Sequence, residues 1–300
     1  MTNHDSPPPI CDYEGSNYRT EFWEGKGRGY EDRVERIALR RLLPAHGTRL
    51  LEIGAGFGRL TDEYNGYDQV VLLDYSFSQL QHARVTWGDA RCLYVAADVY
   101  HLPFHAGVFD GATMIRVLHH MADVPRALAG IRRVMTAGGT FILEHANKRN
   151  LKAIARYALK RQSWNPNDPD PVEFVALNFD FHPETVRREL IDAGFAVQRR
   201  SPVSYFRLGA LKARVPAGVL AAADATLQRS GLLYAPSVFI QAMANGNPTP
   251  VLPIGAEATA LFACPQCGGD LRREDDAMIC TSDGARYAIR DGIYDFKAPM

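Results

Sequence analysis

Three glycines, Gly54, Gly56 and Gly58, occupy alternate positions directly after the apolar run Arg49–Ile53. Glycine has no Cβ and adopts a left-handed φ readily, so the backbone there can approach a ligand closely. At the carboxyl end of a strand in an open α/β sheet, such a turn borders the crevice where ligands bind. A dinucleotide fingerprint would have its third glycine at position 59, where Arg59 stands instead. The spacing disfavours a nicotinamide or flavin dinucleotide and leaves a nucleotide-type cofactor turn or a purely structural tight turn.

Carboxylates follow the next two apolar runs of the chain. Asp74 comes about twenty residues after the first glycine, where an acid can accept hydrogen bonds from ribose hydroxyls. The alternative interpretation is that Asp74 caps a helix before Ser76. The third run is followed by Asp98 and Val99. An acid and an apolar side chain at that point could recognise the amino group and the ring face of an adenine.

Two adjacent histidines, His119 and His120, follow the fourth apolar run. A neutral imidazole is a suitable general base near pH 7. His119 is the first candidate because it is closer to the end of the strand, and His145 and His182 are the next candidates. For each of them the alternative is a hydrogen-bonding side chain on a loop.

Three of the five cysteines, Cys264, Cys267 and Cys280, cluster near the C-terminus. The Cys-x-x-Cys pair beside two glycines has the form of a zinc knuckle, and Cys280 begins a second pair. The fourth position holds Asp283, and no Cys or His follows it. The pattern predicts a zinc site made of these four residues, with a metal-free ribbon that keeps spare thiols as the alternative. An odd cysteine count without a secretion signal argues against a disulfide framework.

The elements that must position these residues alternate between strands and helices, which predicts an α/β fold with a doubly wound, mostly parallel sheet. Residues 124–135 have the clearest amphipathic helical pattern, with apolar side chains on one face. The predicted strands are Arg49–Ile53, Gln69–Leu73, Cys92–Ala96, Phe109–Ile115, Thr140–Glu144, Phe195–Arg199 and Ser237–Ala244.

Composition and the positions of Gly and Pro divide the chain into four segments. Residues 1–17 are proline-rich and polar and are predicted to be disordered. Residues 18–246 form the main domain, with insertions at 148–182 and 205–229 as expected walls of a substrate site. A linker rich in Gly, Asn and Pro then leads to a small β module at 259–300.

These motifs, in this order between Arg49 and Phe195, resemble those of the class I S-adenosylmethionine-dependent methyltransferases. The resemblance implies a Rossmann-like, seven-stranded sheet whose seventh strand is antiparallel, and S-adenosylmethionine as the methyl donor. It implies that Glu52 and the glycines flank the methionine part, that Asp74 holds the ribose, and that Asp98 contacts the adenine. The full set of cofactor residues that it implies is Glu52, Gly54, Ala55, Gly56, Gly58, Asp74, Tyr75, Asp98, Val99, Arg116 and Val117.

Two terminal segments extend this prediction. Residues 287–294 resemble the end of a small zinc-ribbon family related to methyltransferase activator subunits. Near the N-terminus, a group of aromatic and basic residues either covers the cofactor or packs the first helix onto the sheet. That group is Tyr18, Arg19, Trp23, Arg28 and Tyr30.

Charge and hydropathy limit the partners. Lys plus Arg equals Asp plus Glu, at 34 each, so the whole-chain charge does not favour nucleic acid or an anionic membrane. Residues 148–161 are locally basic, which indicates either a solvated face or a contact with an anionic acceptor, RNA phosphate or lipid headgroup. No apolar run approaches the roughly 20 residues of a membrane span, and no signal peptide is evident, so a cytoplasmic protein is expected.

Three functions remain open at this stage. A methyltransferase acting on a small-molecule or lipid-like acceptor is the leading hypothesis. An RNA methyltransferase that uses the ribbon for recognition is the second, and a non-catalytic binding protein with a methyltransferase fold is the third. The sequence does not predict the oligomeric state.

Overall fold

The structure, a computed structural model, describes residues 8–16, 20, 23, 27–247, 252–253 and 258–300. Its strands are β1 Gly47–Ile53, β2 Tyr67–Asp74, β3 Cys92–Ala96, β4 Phe109–Met114, β5 Met135–Ala146, β6 Val172–Val175, β7 Asn178–Asp180, β8 Phe195–Val203, β9 Ser237–Ala244, β10 Leu271–Glu274, β11 Ala277–Cys280, β12 Arg286–Arg290 and β13 Ile293–Asp295. Its helices are α1 Gly29–Leu42, α2 Phe77–Trp87, α3 Val124–Val134, α4 Leu151–Ala158, α5 Pro183–Asp192, α6 Gly209–Lys212 and α7 Ala217–Leu227. Within these ranges, none of the helices combines the length and the apolar character that crossing a bilayer requires.

Seven strands form the main sheet in the order β3-β2-β1-β4-β5-β9-β8. The first five are parallel, and β9 runs antiparallel to both of its neighbours. The inner strands are buried on both faces, as parallel strands covered by helices must be. Helices α3 and α5 cover one face, and α1, α2 and α7 cover the other. The predicted fold class is confirmed.

Strand order reverses at β1, which pairs with β2 on one side and with β4 on the other. The glycine turn begins at Gly54, directly after β1. In open α/β sheets this is the point where the loops diverge and a crevice forms. The fold therefore places the three predicted glycines where a ligand can reach the backbone.

The C-terminal module is continuous with the main sheet. Strands β10 to β13 form an antiparallel ribbon, and β13 pairs in parallel with β3, with Ile293 opposite Tyr94. Without β13, the backbone groups along one side of β3 would form an unpaired sheet edge. The ring of Phe262 stacks on Phe104 with centroids 5.7 Å apart and joins the two cores. The sequence predicts a separate small module, whereas the structure has one sheet of eleven strands.

The insertions and the N-terminal segment surround the glycine turn. Residues 148–182 contain α4 and the hairpin β6–β7, and residues 205–229 contain α6 and α7. Residues 8–16, part of the segment predicted to be disordered, are held against α2: the Gly15 amide donates to the Ser78 hydroxyl at 3.1 Å, and Glu14 accepts from the Ser78 amide at 3.2 Å. These polar contacts explain how a segment with few apolar side chains is ordered.

Candidate functional site

A cavity lies over the glycine turn at the carboxyl ends of the first three strands, and we call it the turn cavity. It encloses about 800 Å³, its open mouth included. Among its lining residues are Ile10, Cys11, Tyr13, Gly54, Gly56, Asp74, Tyr75, Asp98, Val99, Arg116, Val117 and His120. Eight of the eleven cofactor residues implied by the resemblance thus border one cavity, and the exceptions are Glu52, Ala55 and Gly58.

The three glycines have different roles, although all have a left-handed φ, of +70°, +54° and +75°. A Cβ on Gly54 would lie 2.2 Å from Val117 Cγ2, so this position allows close packing of two strand ends. A Cβ on Gly56 would meet no atom within 4 Å, and Gly56 lines the cavity. Gly58 lies outside the cavity wall, and its carbonyl accepts a hydrogen bond from Trp87 Nε1 at 2.9 Å. Gly56 is therefore the glycine that leaves space for a ligand.

Asp74 connects β2 to the glycine turn. Its two carboxylate oxygens accept hydrogen bonds from the Gly56 amide at 2.7 Å and the Ser76 amide at 2.9 Å. Burial raises the pKa of Asp74, and the two hydrogen bonds from backbone amides oppose that rise. The N-cap of α2 is Ser76, whose hydroxyl accepts from the Gln79 amide, so Asp74 orders the backbone of the turn rather than capping that helix, and its contact with a ribose stays a prediction.

Asp98 lies at the far side of the same cavity. Its carboxylate accepts from the Tyr100 amide at 2.9 Å and pairs with His101 Nδ1 at 2.8 Å. These contacts hold the carboxylate in one orientation at the cavity wall. Tyr75 and Val99 line the cavity beside the two acids.

Glu52 and Ala55 border a smaller cavity that shares Gly54, Gly56 and Arg116 with the turn cavity. The buried Glu52 carboxylate accepts from Tyr64 Oη at 3.1 Å and Thr61 Oγ1 at 3.2 Å. Burial raises the pKa of Glu52 to about 7, although both hydrogen bonds favour the charged form. Glu52 therefore lines the adjoining smaller cavity and not the turn cavity, and its place beside the methionine part stays a prediction.

The predicted N-terminal cover is divided by the structure. The Arg59 guanidinium lies 3.8 Å from the ring centroid of Trp23, which borders the smaller cavity. Tyr30 instead packs α1 against α7, with its hydroxyl donating to Asp224 at 2.7 Å. Tyr18 and Arg19 lie outside the described residues.

A second cavity adjoins the turn cavity, and we call it the histidine cavity. It encloses about 880 Å³ with its mouth, and it shares Tyr13, Arg116 and His120 with the turn cavity. Its lining residues are Tyr13, Arg116, His119, His120, Glu144, Ala146, Phe174, Asn178, Asp180 and Arg207. Both insertions contribute to this wall, as the sequence predicts.

His120 is held between the two cavities in a defined tautomer. Its Nδ1 lies 2.9 Å from the Leu177 carbonyl oxygen, which can only accept, so Nδ1 carries the proton. Nε2 then has a free lone pair and lies 3.2 Å from the Tyr13 hydroxyl, which donates to it. Burial lowers the pKa of His120, which keeps the ring neutral near pH 7.

His119 lines only the histidine cavity. Its ring centroid lies 4.0 Å from that of His120. Burial, with smaller contributions from His120 and Arg116, lowers the pKa of His119 to about 3. Both predicted histidines are therefore neutral bases at neutral pH, and His120 is the one that reaches both cavities.

The other two candidate histidines have structural contacts. His145 is fully buried, and its Nδ1 donates to the Ala146 carbonyl at 3.1 Å. His182 precedes α5 and accepts from the Glu184 amide at 3.3 Å. Neither residue lines the histidine cavity.

Charged groups of both signs face the histidine cavity. The Arg116 amide donates to the buried Glu144 carboxylate at 2.8 Å, and Arg116 Nη1 lies 3.2 Å from Glu35. Burial raises the pKa of Asp180 to about 6. Sequence reasoning did not identify Tyr13, Asp180 or Arg207 as site residues. They come from three distant segments, and no local motif marks them.

The C-terminal cysteines meet as the sequence predicts. One ligand atom from each of Cys264, Cys267, Cys280 and Asp283 lies within 4.8 Å of all the others. The sulfur atoms of Cys267 and Cys280 are 3.4 Å apart, and Cys264 Sγ lies 3.8 Å from the Asp283 carboxylate. Three thiols and a carboxylate at this spacing fit a tetrahedral zinc ion. Asp283 takes the place of the missing fourth cysteine.

Comparison with known proteins finds similar families for two parts of the chain, the main domain and the C-terminal module. Residues 51–143 match the model of a methyltransferase domain, and residues 259–292 match that of a Trm112p-like protein. An O-methyltransferase, cnsE of Penicillium expansum, is 32% identical over 145 residues, which are 45% of this chain and 52% of that protein. The ubiquinone/menaquinone biosynthesis C-methyltransferase UbiE of Teredinibacter turnerae is 31% identical over 168 residues, 50% of this chain and 68% of UbiE. The chain thus spans about half the length of the first relative and two thirds of the second.

Solved structures share the fold. A complex between the Haloferax volcanii Trm112 methyltransferase activator and a putative methyltransferase matches with a TM-score of 0.53 and 19% identity, covering 77% of this chain and 98% of that one. An S-adenosylmethionine-dependent methyltransferase from Mesorhizobium loti matches with a TM-score of 0.51 and 23% identity, covering 70% and 97%. Motif order, sheet topology and sequence similarity agree: the chain belongs to the S-adenosylmethionine-dependent methyltransferases and has a Trm112p-like module at its C-terminal end.

Proposed function

We propose that this chain transfers a methyl group from S-adenosylmethionine to a small-molecule or lipid-like acceptor held in the histidine cavity. The observation that carries the proposal is the shared wall between the two cavities. Tyr13, Arg116 and His120 border both, so a donor in the turn cavity and an acceptor in the histidine cavity would meet there. Positioning of two reactants in this way can supply most of the catalysis of a displacement reaction.

The turn cavity supplies the donor site in this proposal. Gly56 leaves the approach to the backbone open, Asp74 accepts hydrogen bonds from the ribose hydroxyls, and Asp98 accepts one from the adenine amino group. Tyr75 and Val99 flank the adenine ring. Glu52 borders the adjoining smaller cavity, where hydrogen bonds from Tyr64 and Thr61 hold its carboxylate beside the glycine turn.

The histidine cavity supplies the base where the acceptor needs one. S-adenosylmethionine, when bound, provides a methyl group activated by a sulfonium. A bond forms from the acceptor atom to the methyl carbon as the carbon–sulfur bond breaks, and a proton on the acceptor must leave. His120 takes that proton at Nε2, directly or through the Tyr13 hydroxyl, because its Nδ1 proton is already committed to the Leu177 carbonyl. His119 is the second candidate base.

The small-molecule class is favoured by the names of two relatives, an O-methyltransferase and a ubiquinone/menaquinone biosynthesis C-methyltransferase. RNA is the second candidate acceptor, and the basic segment 148–161 is the observation that favours it. The equal numbers of acidic and basic residues argue against an extended phosphate-binding surface.

The Trm112p-like module has a related role in this proposal. One of the similar structures is a complex with a separate methyltransferase activator. Here a Trm112p-like module belongs to the same chain as the methyltransferase domain, and β13 pairs with β3. We infer that the module, with zinc held by Cys264, Cys267, Cys280 and Asp283, stabilises the methyltransferase sheet from within the chain.

Calorimetric titration with S-adenosylhomocysteine tests the donor site. The expected result is saturable binding, with a Kd raised about ten- to a hundredfold in Asp74→Asn, since a hydrogen bond to a charged group contributes about 1.5–3 kcal/mol. The matched control is Asp68→Asn, an exposed position on the same strand, which should bind as the unchanged protein does. Absence of binding to the folded protein would refute the proposal.

Transfer of label from methyl-tritiated S-adenosylmethionine identifies the acceptor class. The protein is incubated with host cell extract, and the label is followed into small organic molecules, lipids, RNA and protein. Label in the first two fractions supports the proposal, whereas label in RNA supports the second candidate. Donor binding without transfer into any fraction would instead indicate a non-catalytic binding protein.

A further inference from the structure

A short surface helix and a hairpin combine exposed apolar side chains with unopposed positive charge. Residues 148–161 contain six Lys or Arg residues and no Asp or Glu. They include α4, in which only Ala153 is buried. A helix that packs on a domain normally buries an apolar stripe, so this helix presents most of its surface to something outside the fold.

The basic residues lie together on one side of α4. Lys152 and Arg156 lie four residues apart and form a row along the helix, and Lys160 lies two residues beyond the helix end, with a left-handed φ of +55°. All three are exposed. Lys148 is excluded from this row because its ammonium group donates to the Asp168 and Asp170 carbonyls, at 3.0 and 2.6 Å.

Apolar side chains lie beside this basic row. Leu151 and Ala155 recur at the same four-residue spacing and are exposed, and Leu159, directly after the helix, is 63% exposed. A basic row beside an apolar row is the arrangement of helices that lie in the interface of a bilayer. RNA binding would require the basic side chains but would leave the exposed leucines unexplained.

The neighbouring hairpin extends the apolar surface to the histidine cavity. Phe174 and Val175, on β6, are each 61% exposed. The end of this hairpin is tied to the start of the α4 segment, because the Lys148 amide donates to the Phe181 carbonyl at 3.0 Å. Phe174 also lines the histidine cavity. Exposed apolar side chains thus occur both on the helix and on the hairpin that lines the cavity.

We propose that α4 and the β6–β7 hairpin dock this protein on an anionic phospholipid bilayer. The basic side chains lie over the lipid headgroups. The apolar side chains of Leu151, Leu159, Phe174 and Val175 enter the boundary between the headgroups and the acyl chains. A further consequence, which rests on the proposed function, is that a lipid-like acceptor reaches the histidine cavity directly from the bilayer. Docking itself is independent of methyl transfer and is measured without a donor.

Sedimentation with vesicles of phosphatidylglycerol and phosphatidylcholine tests the docking. The full chain should bind these vesicles, bind pure phosphatidylcholine less, and dissociate as salt is raised. Because one Lys or Arg near an anionic surface strengthens the affinity about fivefold, the variant K152Q/R156Q/K160Q should bind these vesicles roughly a hundredfold more weakly. The matched control is R272Q/R273Q/R286Q, which removes three exposed charges from the C-terminal module and should bind normally.

An apolar variant separates a membrane from RNA. L151Q/L159Q keeps every charge and should also weaken vesicle binding, while binding to a single-stranded RNA oligonucleotide should be absent or unchanged. Circular dichroism melts establish that the variants are folded. Failure of the full chain to bind anionic vesicles overturns the proposal. So does normal vesicle binding by L151Q/L159Q, and tight RNA binding that only the charge variant removes would identify this surface as an RNA site.

Discussion

Substitution of Gly56 by alanine has two separable effects: it strains the backbone of the folded protein, and it fills space that a bound cofactor would occupy. Gly56 has a φ of +54°, and an added Cβ would meet no protein atom within 4 Å. The cost to the protein itself is then the left-handed backbone alone, about 1–2 kcal/mol. In the presence of a ligand the same methyl group occupies space that the cavity offers to the cofactor, so binding should weaken by at least about tenfold, or 1.4 kcal/mol.

Gly231 provides the matched control for this substitution. It has a φ of +68°, has open space around its Cβ position, and does not line the turn cavity. Thermal unfolding should show similar losses for Gly56→Ala and Gly231→Ala, a few degrees each. Calorimetry with S-adenosylhomocysteine should show weakened binding only for Gly56→Ala. Equal affinity in the two variants would mean that the glycine turn does not contact the cofactor, and the assignment of the donor site would be wrong.

Three further expectations concern the core, the metal and acid stability. Phe262→Ala should lower the free energy of unfolding by about 3–5 kcal/mol, because the buried ring joins the two cores, whereas Phe174→Ala at an exposed site should cost less than about 0.5 kcal/mol in urea titrations. Mass spectrometry under native conditions should find one zinc ion per chain, lost in Cys280→Ser; a metal-free protein with intact thiols would contradict the site. Burial lowers the pKa of His145 to about 4 from its ordinary 6.5, so its folded-state contribution is complete above pH 6.5 and is lost as pH falls toward 4. Between pH 6.5 and pH 4 the free energy of unfolding should therefore fall by up to about 3 kcal/mol less in His145→Asn than in the unchanged protein. Parallel profiles of unfolding free energy against pH would refute this explanation.

The residues of the turn cavity were predictable because they follow the ends of strands. Each of Gly56, Asp74 and Asp98 comes directly after an apolar run, and parallel strands place their carboxyl ends at one edge of the sheet. Local sequence therefore encodes both the residue and its position. Glu52, within β1, lines the smaller cavity that adjoins the turn cavity, and no feature of the sequence predicts this division into two cavities.

The acceptor side was less predictable because its residues come together only through tertiary packing. Tyr13 belongs to a segment whose composition predicts disorder, and its position depends on contacts that Glu14 and Gly15 make with Ser78. Asp180 comes from the hairpin insertion and Arg207 from the segment before α6. No periodicity or spacing in the sequence relates these three segments.

The junction of the C-terminal module was also not predictable, and it links the metal to the donor site. Strand β13 has only three residues, too few for a pattern that could identify its partner strand. Beyond it, the Phe296 amide donates to the Ala96 carbonyl at 2.8 Å, two residues before Asp98. The ammonium group of Lys297 lies 5.3 Å from the ring centroid of Tyr75. Because the module contacts Ala96, two residues before Asp98, and Tyr75 at the wall of the turn cavity, loss of zinc should loosen this wall and weaken S-adenosylhomocysteine binding in Cys280→Ser. Unchanged affinity in a zinc-free, folded variant would show that the ribbon holds its shape, and the cavity wall, without the metal.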